Sequence, residues 1–122
     1  MSSFVNGFAN NFPIQVSAVS ALALASDSVL AVPASTPSTI VTYTPVSDKK
    51  ITRIAVSGTN YAKIELFVNS TLIETKRMGP DRNVDFIFTN PLLLAGSVPL
   101  DVKATHYTAG TTIDFESTIY GV

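Results

Sequence analysis

His106 is the one imidazole in the chain and the side chain best suited to proton transfer near neutral pH. A general base needs an orienting partner and a nucleophile to serve, and a metal site needs further ligands. The chain has no cysteine and no second histidine to supply either. His106 also falls in register with Leu100, Val102 and Ala104, an inward-facing row, so it reads as a histidine closing a strand. Asp85, Asp114 and Glu116 are the carboxylates that deserve weighing. On neighbouring strands they could hold Ca²⁺ or act as a glycosidase pair; otherwise they form a solvated face that discourages edge pairing. No single loop gathers acids at alternate positions, as a calcium loop does, and Met78-Gly79-Pro80-Asp81-Arg82-Asn83 holds one acid. Asn69-Ser70-Thr71 fits the glycosylation acceptor pattern, but a short polar turn produces it as well. Tyr43, Tyr61, Phe67, Tyr107 and Tyr120 could supply a sugar platform, although tryptophan is absent. The expectation is a chain with no catalytic residue, no metal and no cofactor: not an enzyme.

Composition narrows the partners. Of 122 residues, 46% are hydrophobic and 14% charged, with a formal net charge of −1. An ordinary soluble domain carries about 25% charged residues. The sequence pI of about 5.6 gives no positive face to grip nucleic acid. Lys49, Lys50, Arg53, Lys76, Arg77 and Arg82 are scattered among acids and read as surface ions. The longest apolar run, Ala18 to Ala25, is broken by Ser20 and is far short of the ~18 to 20 residues of a membrane span. Neither nucleic acid nor membrane is an expected partner. No Lys or Arg occurs from Met1 to Ala25, so a secretory signal is not expected and Met1 reads as the start of the mature chain. An ion-poor chain of mean hydropathy +0.32 has more apolar residues than one small domain needs, which points to a homo-oligomer.

The elements that position these residues alternate with period two. Strands are expected over Ile40–Tyr43, Ile51–Val56, Ala62–Val68, Thr71–Lys76, Val84–Thr89, Leu100–Thr105 and Ile113–Ile119. Thr52, Ile54 and Val56 face one way; Ile51, Arg53 and Ala55 face the other. Asn69-Ser70 makes a two-residue hairpin turn. Asn90-Pro91 ends its strand, and Ala95-Gly96-Ser97 and Thr108-Ala109-Gly110 turn the chain. Phe86 and Phe115 belong to the core. Short strands with a turn signal every 8 to 12 residues predict an all-β, antiparallel β-sandwich, jelly-roll-like or of a related Greek-key order.

Charge divides the chain. From Met1 to Ser47 the only charged side chain is Asp27. A Ser/Thr/Pro cluster, Ala34-Ser35-Thr36-Pro37-Ser38, marks the expected boundary between an apolar leader, residues 1–38, and the sandwich, residues 39–122. Ala18 to Leu30 fits a short Ala-rich helix, or two further strands, Ala21–Ala25 and Ser28–Val32; its Val and Ser content and close prolines favour extended structure. The leader reads as an extended arm. Phe4, Val5, Phe8, Phe12 and Ile14, set among Asn, Gly and Ser, are the candidate partner-binding residues.

Three segments carry a resemblance. They are Ile64-Glu65-Leu66-Phe67-Val68-Asn69 running into a tight hairpin, the corner Pro91-Leu92-Leu93-Leu94-Ala95-Gly96-Ser97, and the ending Lys103-Ala104-Thr105-His106-Tyr107 then Phe115-Glu116-Ser117-Thr118-Ile119-Tyr120-Gly121. In texture, over Ile40 to Val122, the chain resembles small β-sandwich virion proteins of tailed bacteriophages, above all capsid decoration (cement) proteins. The resemblance implies a trimer on the capsid exterior, with an arm reaching over subunits of the major capsid protein. The expectation is therefore a non-enzymatic structural protein of the virion. The alternative is a carbohydrate- or receptor-binding β module, such as part of a tail fibre.

Overall fold

The structure, a computed structural model, describes residues 21–122. Its strands are β1 (Leu22–Val32), β2 (Ser38–Tyr43), β3 (Lys49–Gly58), β4 (Lys63–Val68), β5 (Thr71–Arg77), β6 (Asn83–Leu94), β7 (Leu100–Thr105) and β8 (Ile113–Gly121), with no helix among the described residues. Pairing is antiparallel throughout: β1 with β8, β2 with β7, β3 with β6, and β4 with β5. The chain is thus a long two-stranded ribbon folded at Asn69-Ser70 and then rolled up. Rolling brings β3 against β8 and β4 against β7. The result is two four-stranded sheets, β1-β8-β3-β6 and β2-β7-β4-β5. This is the jelly-roll order of the β-sandwich.

The fold follows the sequence most closely where alternation is uninterrupted. Ile113, Phe115, Ser117 and Ile119 are buried along β8, and Leu100, Val102 and Ala104 along β7. Phe86 and Phe115 fill the space between the sheets, with Ile54, Ile64 and Leu66 among their companions in the core. The hairpin turn is left-handed at both central residues, Asn69 at φ 50° and Ser70 at φ 66°. That is the twist a two-residue connection requires.

Alternation fails at two bulges. It places Ile51 outward with Arg53 and Ala55, but Ile51 is fully buried. Ile51 pairs with Gly121 and Arg53 with Tyr120, so Thr52 is an extra residue in β3. One extra residue flips the pleat and returns Ile51 to the face of Ile54. Opposite it, Asn90-Pro91 does not end the strand. Ile51 pairs with Leu92 and Arg53 with Ile87, so the intervening residues of β6 bulge out and rejoin the ladder. Proline is tolerated there because β6 is a sheet edge and the bulge needs no ladder donor.

The leader boundary also moves. Residues 22–32, which the charge break assigns to the arm, are β1, an integral strand of the sandwich. Its partner β8 supplies the main-chain hydrogen bonds, and Leu24, Ala25 and Val29 pack on the core while Val32 is buried. The two short strands expected on either side of Asp27 are this single strand. Phe4, Val5, Phe8, Phe12 and Ile14 lie outside the described residues.

Candidate interaction surfaces

Each residue with chemical potential has a structural neighbour. His106 is fully buried, and its Nε2 lies 2.6 Å from the Val32 carbonyl oxygen. The Thr108 N–H donates to Nδ1 at 3.3 Å. Nδ1 is therefore the acceptor and Nε2 carries the proton that it donates to Val32. The main chain adds a third tie, with the Ser35 N–H donating to the His106 carbonyl at 2.7 Å. His106 pins the end of β7 to the corner between β1 and β2. Nothing in that packing leaves a ring nitrogen to act on a substrate.

The three acids are not in one cluster: Asp85 and Glu116 line one open groove with Asp81, and Asp114 and Glu116 another. Asp85 stands on β6 and Asp114 and Glu116 on β8, with β3 between the two strands. The Asp85 carboxylate accepts from Arg53 Nη2 at 3.0 Å and Nε at 3.2 Å. Asp114 accepts from the Ala31 N–H at 2.8 Å, which fixes the left-handed turn at Ala31 (φ 55°) near the end of β1. Glu116 lies 3.4 Å from the Ser57 hydroxyl, which donates to it. Among the described residues no group of three or more His, Asp or Glu is placed to hold a metal ion.

The four sheet edges differ in how they are guarded. β5 carries Glu74, Lys76 and Arg77; β2 is short and lies between Pro37 and Pro45; β6 carries Pro91 and its bulge. Those are the usual protections of an edge. β1 has eleven residues and a single charge, Asp27, with Leu22 and Leu30 about two-thirds exposed. Bulges bend it at Ala23/Ala25 and Val29/Val32, but Ala25 to Val29 stays in register. The end of the sandwich where β1 begins is also apolar. Leu93 on β6 and Val122 after β8 border an open groove of about 470 Å³, rimmed by Asp48, Lys49 and Lys50. The nearby Val46 is almost fully exposed. None of this could be read from alternation, which says nothing about which strand ends at an edge.

The aromatic residues separate. Tyr43 packs against the core, Phe67 lies beneath Lys103 with the cation 4.9 Å from its ring centre, and Tyr120 lies beneath Arg53 at 5.2 Å. Tyr61 and Tyr107 share a groove, at the opposite end of the sandwich from the start of β1.

Comparison of the chain with family models, with curated proteins and with solved structures gives no match in any of the three.

Proposed function

We propose that this protein is a non-enzymatic structural protein of a bacteriophage virion, a capsid decoration (cement) protein. It self-associates, with a trimer favoured, and docks on the major capsid protein. The observation that carries this reading is the β1 edge. It is an eleven-residue edge whose one charge is Asp27, and in the sequence it follows twenty-one residues that hold no ionisable side chain. An edge strand with a single charge favours strand addition by another chain, because docking desolvates few ions and satisfies main-chain donors and acceptors on both sides. Phe4, Val5, Phe8, Phe12 and Ile14 would add apolar burial, at about 1.5 to 3 kcal/mol for each large side chain. The assignment to a virion comes from the resemblance in texture, and the trimer from the same source.

The test is co-sedimentation with capsids of the encoding phage purified without this protein. Saturable binding is expected, weakened by a Ser28→Lys, Leu30→Lys pair that charges the β1 edge. Sedimentation equilibrium of the free protein is expected to give a multiple of 13.0 kDa. Failure to bind such capsids, with the fold intact, overturns the reading.

A further inference from the structure

The first residues of β4 and the last residues of β5 and β7 form one row across the outer face of their sheet. Arg77 pairs with Lys63, and Lys63 pairs with Thr105. Directly paired residues share a face, so two cations stand side by side. Like charges in that position are destabilising. Glu65 relieves Lys63 only partly, at 3.8 Å. Arg77 has no carboxylate within 4.0 Å among the described residues. The third member of the row, Thr105, is 3% exposed and lies beneath the row rather than in the groove; its hydroxyl oxygen has no hydrogen-bond partner among the described residues. A buried hydroxyl left unpaired costs about 1 to 3 kcal/mol.

Two tyrosines flank this row. Tyr61, 50% exposed, precedes β4, and Tyr107, 58% exposed, follows β7. With Lys63, Arg77 and Thr108 they line an open groove of about 310 Å³ that contains no acidic residue. On a chain of net charge −1 this is a local concentration of positive charge. The volume sits at the small end of ligand pockets, ~300 to 1,000 Å³, enough for one ring-sized group. Tyrosine offers an apolar face and a polar tip, and the cations and the Thr108 hydroxyl offer donors.

We propose that this groove binds an acidic monosaccharide residue, a sugar ring bearing a carboxylate. Its carboxylate sits between Arg77 and Lys63, relieving their repulsion by charge-assisted hydrogen bonds. Lys63 Nζ stands 5.9 Å from the ring centre of Tyr107 and Arg82 Cζ 5.9 Å from that of Tyr61; the C–H face of the sugar lies on the tyrosine surface that these cations leave open, and its hydroxyls reach Thr108. A simple anion would use the cations and gain nothing from the exposed tyrosine surface, and a neutral sugar would use that surface and leave Arg77 without a carboxylate. The site gives the carbohydrate-binding alternative a location and a ligand class, and it does not depend on capsid docking.

The test is an amide ¹H–¹⁵N titration of the full chain with glucuronate, glucose and acetate. Glucuronate is expected to move the resonances of Tyr61, Lys63, Arg77 and Thr108, with an affinity about tenfold above that for glucose or acetate, a difference of about 1.4 kcal/mol. Arg77→Gln should abolish that advantage over glucose, and Tyr107→Ala should abolish the advantage over acetate. Both positions are exposed, and the same spectra confirm the fold. Equal binding of glucuronate and acetate overturns the proposal in favour of a nonspecific anion contact. Equal binding of glucuronate and glucose removes the role of the cations and overturns it too. Tighter binding of an oligoglutamate peptide at the same resonances would overturn it in favour of an acidic peptide. Arg77→Gln is expected to leave capsid co-sedimentation unchanged, so the two proposals fail separately.

Discussion

At the residue scale, His106 shows how a reactive side chain is consumed by structure. Both its ring nitrogens face main-chain partners, one accepting from Thr108 and one donating to Val32. Replacing it with alanine removes the donor from a buried carbonyl and leaves a cavity. His106→Ala is expected to cost about 2 to 4 kcal/mol, the sum of a lost buried hydrogen bond and a void. His106→Gln, which keeps a donor, should cost less. Urea denaturation measures both, and equal costs for the two variants would refute the hydrogen-bonding account. Its position in the inward row was legible from Leu100, Val102 and Ala104. Its partners were not, because Val32 is 74 residues away in sequence.

At the element scale, the β4–β5 hairpin is, among the described residues, the one connection between consecutive strands that stays within a sheet. Asn69 and Ser70 both take left-handed φ values, which Asn tolerates and Ser adopts at a cost. Glycine removes the Cβ penalty at the second position and matches the favoured Asn-Gly turn. Ser70→Gly is expected to stabilise the protein by about 0.5 to 1 kcal/mol, read as a rise in the urea midpoint at unchanged m-value. A fall in the midpoint would mean that the turn strain is already relieved elsewhere. The turn was readable because its cause is local. The bulge at Thr52 was not, since a bulge is a property of two strands in register and alternation describes one strand at a time.

At the scale of the whole molecule, the roll-up makes the first strand depend on the last. β1 is held by β8, and β3 takes β8's other side. Removing residues 2–38 therefore deletes a strand and exposes the inner edge of β8, with Phe115 and Ile119 partly uncovered. That truncation is expected to give unfolded or insoluble protein. Removing residues 2–20 is expected to leave a folded domain with reduced capsid binding. Circular dichroism and co-sedimentation of the two truncations check this; a folded product from the longer deletion would show that β1 is dispensable to the sandwich. Most pairings are distant in sequence, so folding should be slow for a chain of this size.

What the sequence determined by itself was the class of structure. Alternation with period two, punctuated by Gly, Pro and Asn turns, depends on each strand having one wet and one dry face, and that demand is written into neighbouring residues such as Phe115, Glu116 and Ser117. It also determined the inward rows of β7 and β8 and the hairpin at Asn69-Ser70. Only the tertiary structure decided that residues 22–32 are a strand. Their Val and Ser content and the close prolines favour extended structure over helix but are indifferent between strand and arm, and the choice is made by the open edge of β8, more than eighty residues away along the chain. It alone decided that Asp85 and Glu116 stand apart with β3 between them, and that Lys63, Arg77, Tyr61 and Tyr107 stand together. Strand order, and hence every contact between strands, is fixed by how the ribbon rolls, and no residue pattern within one strand encodes its neighbour.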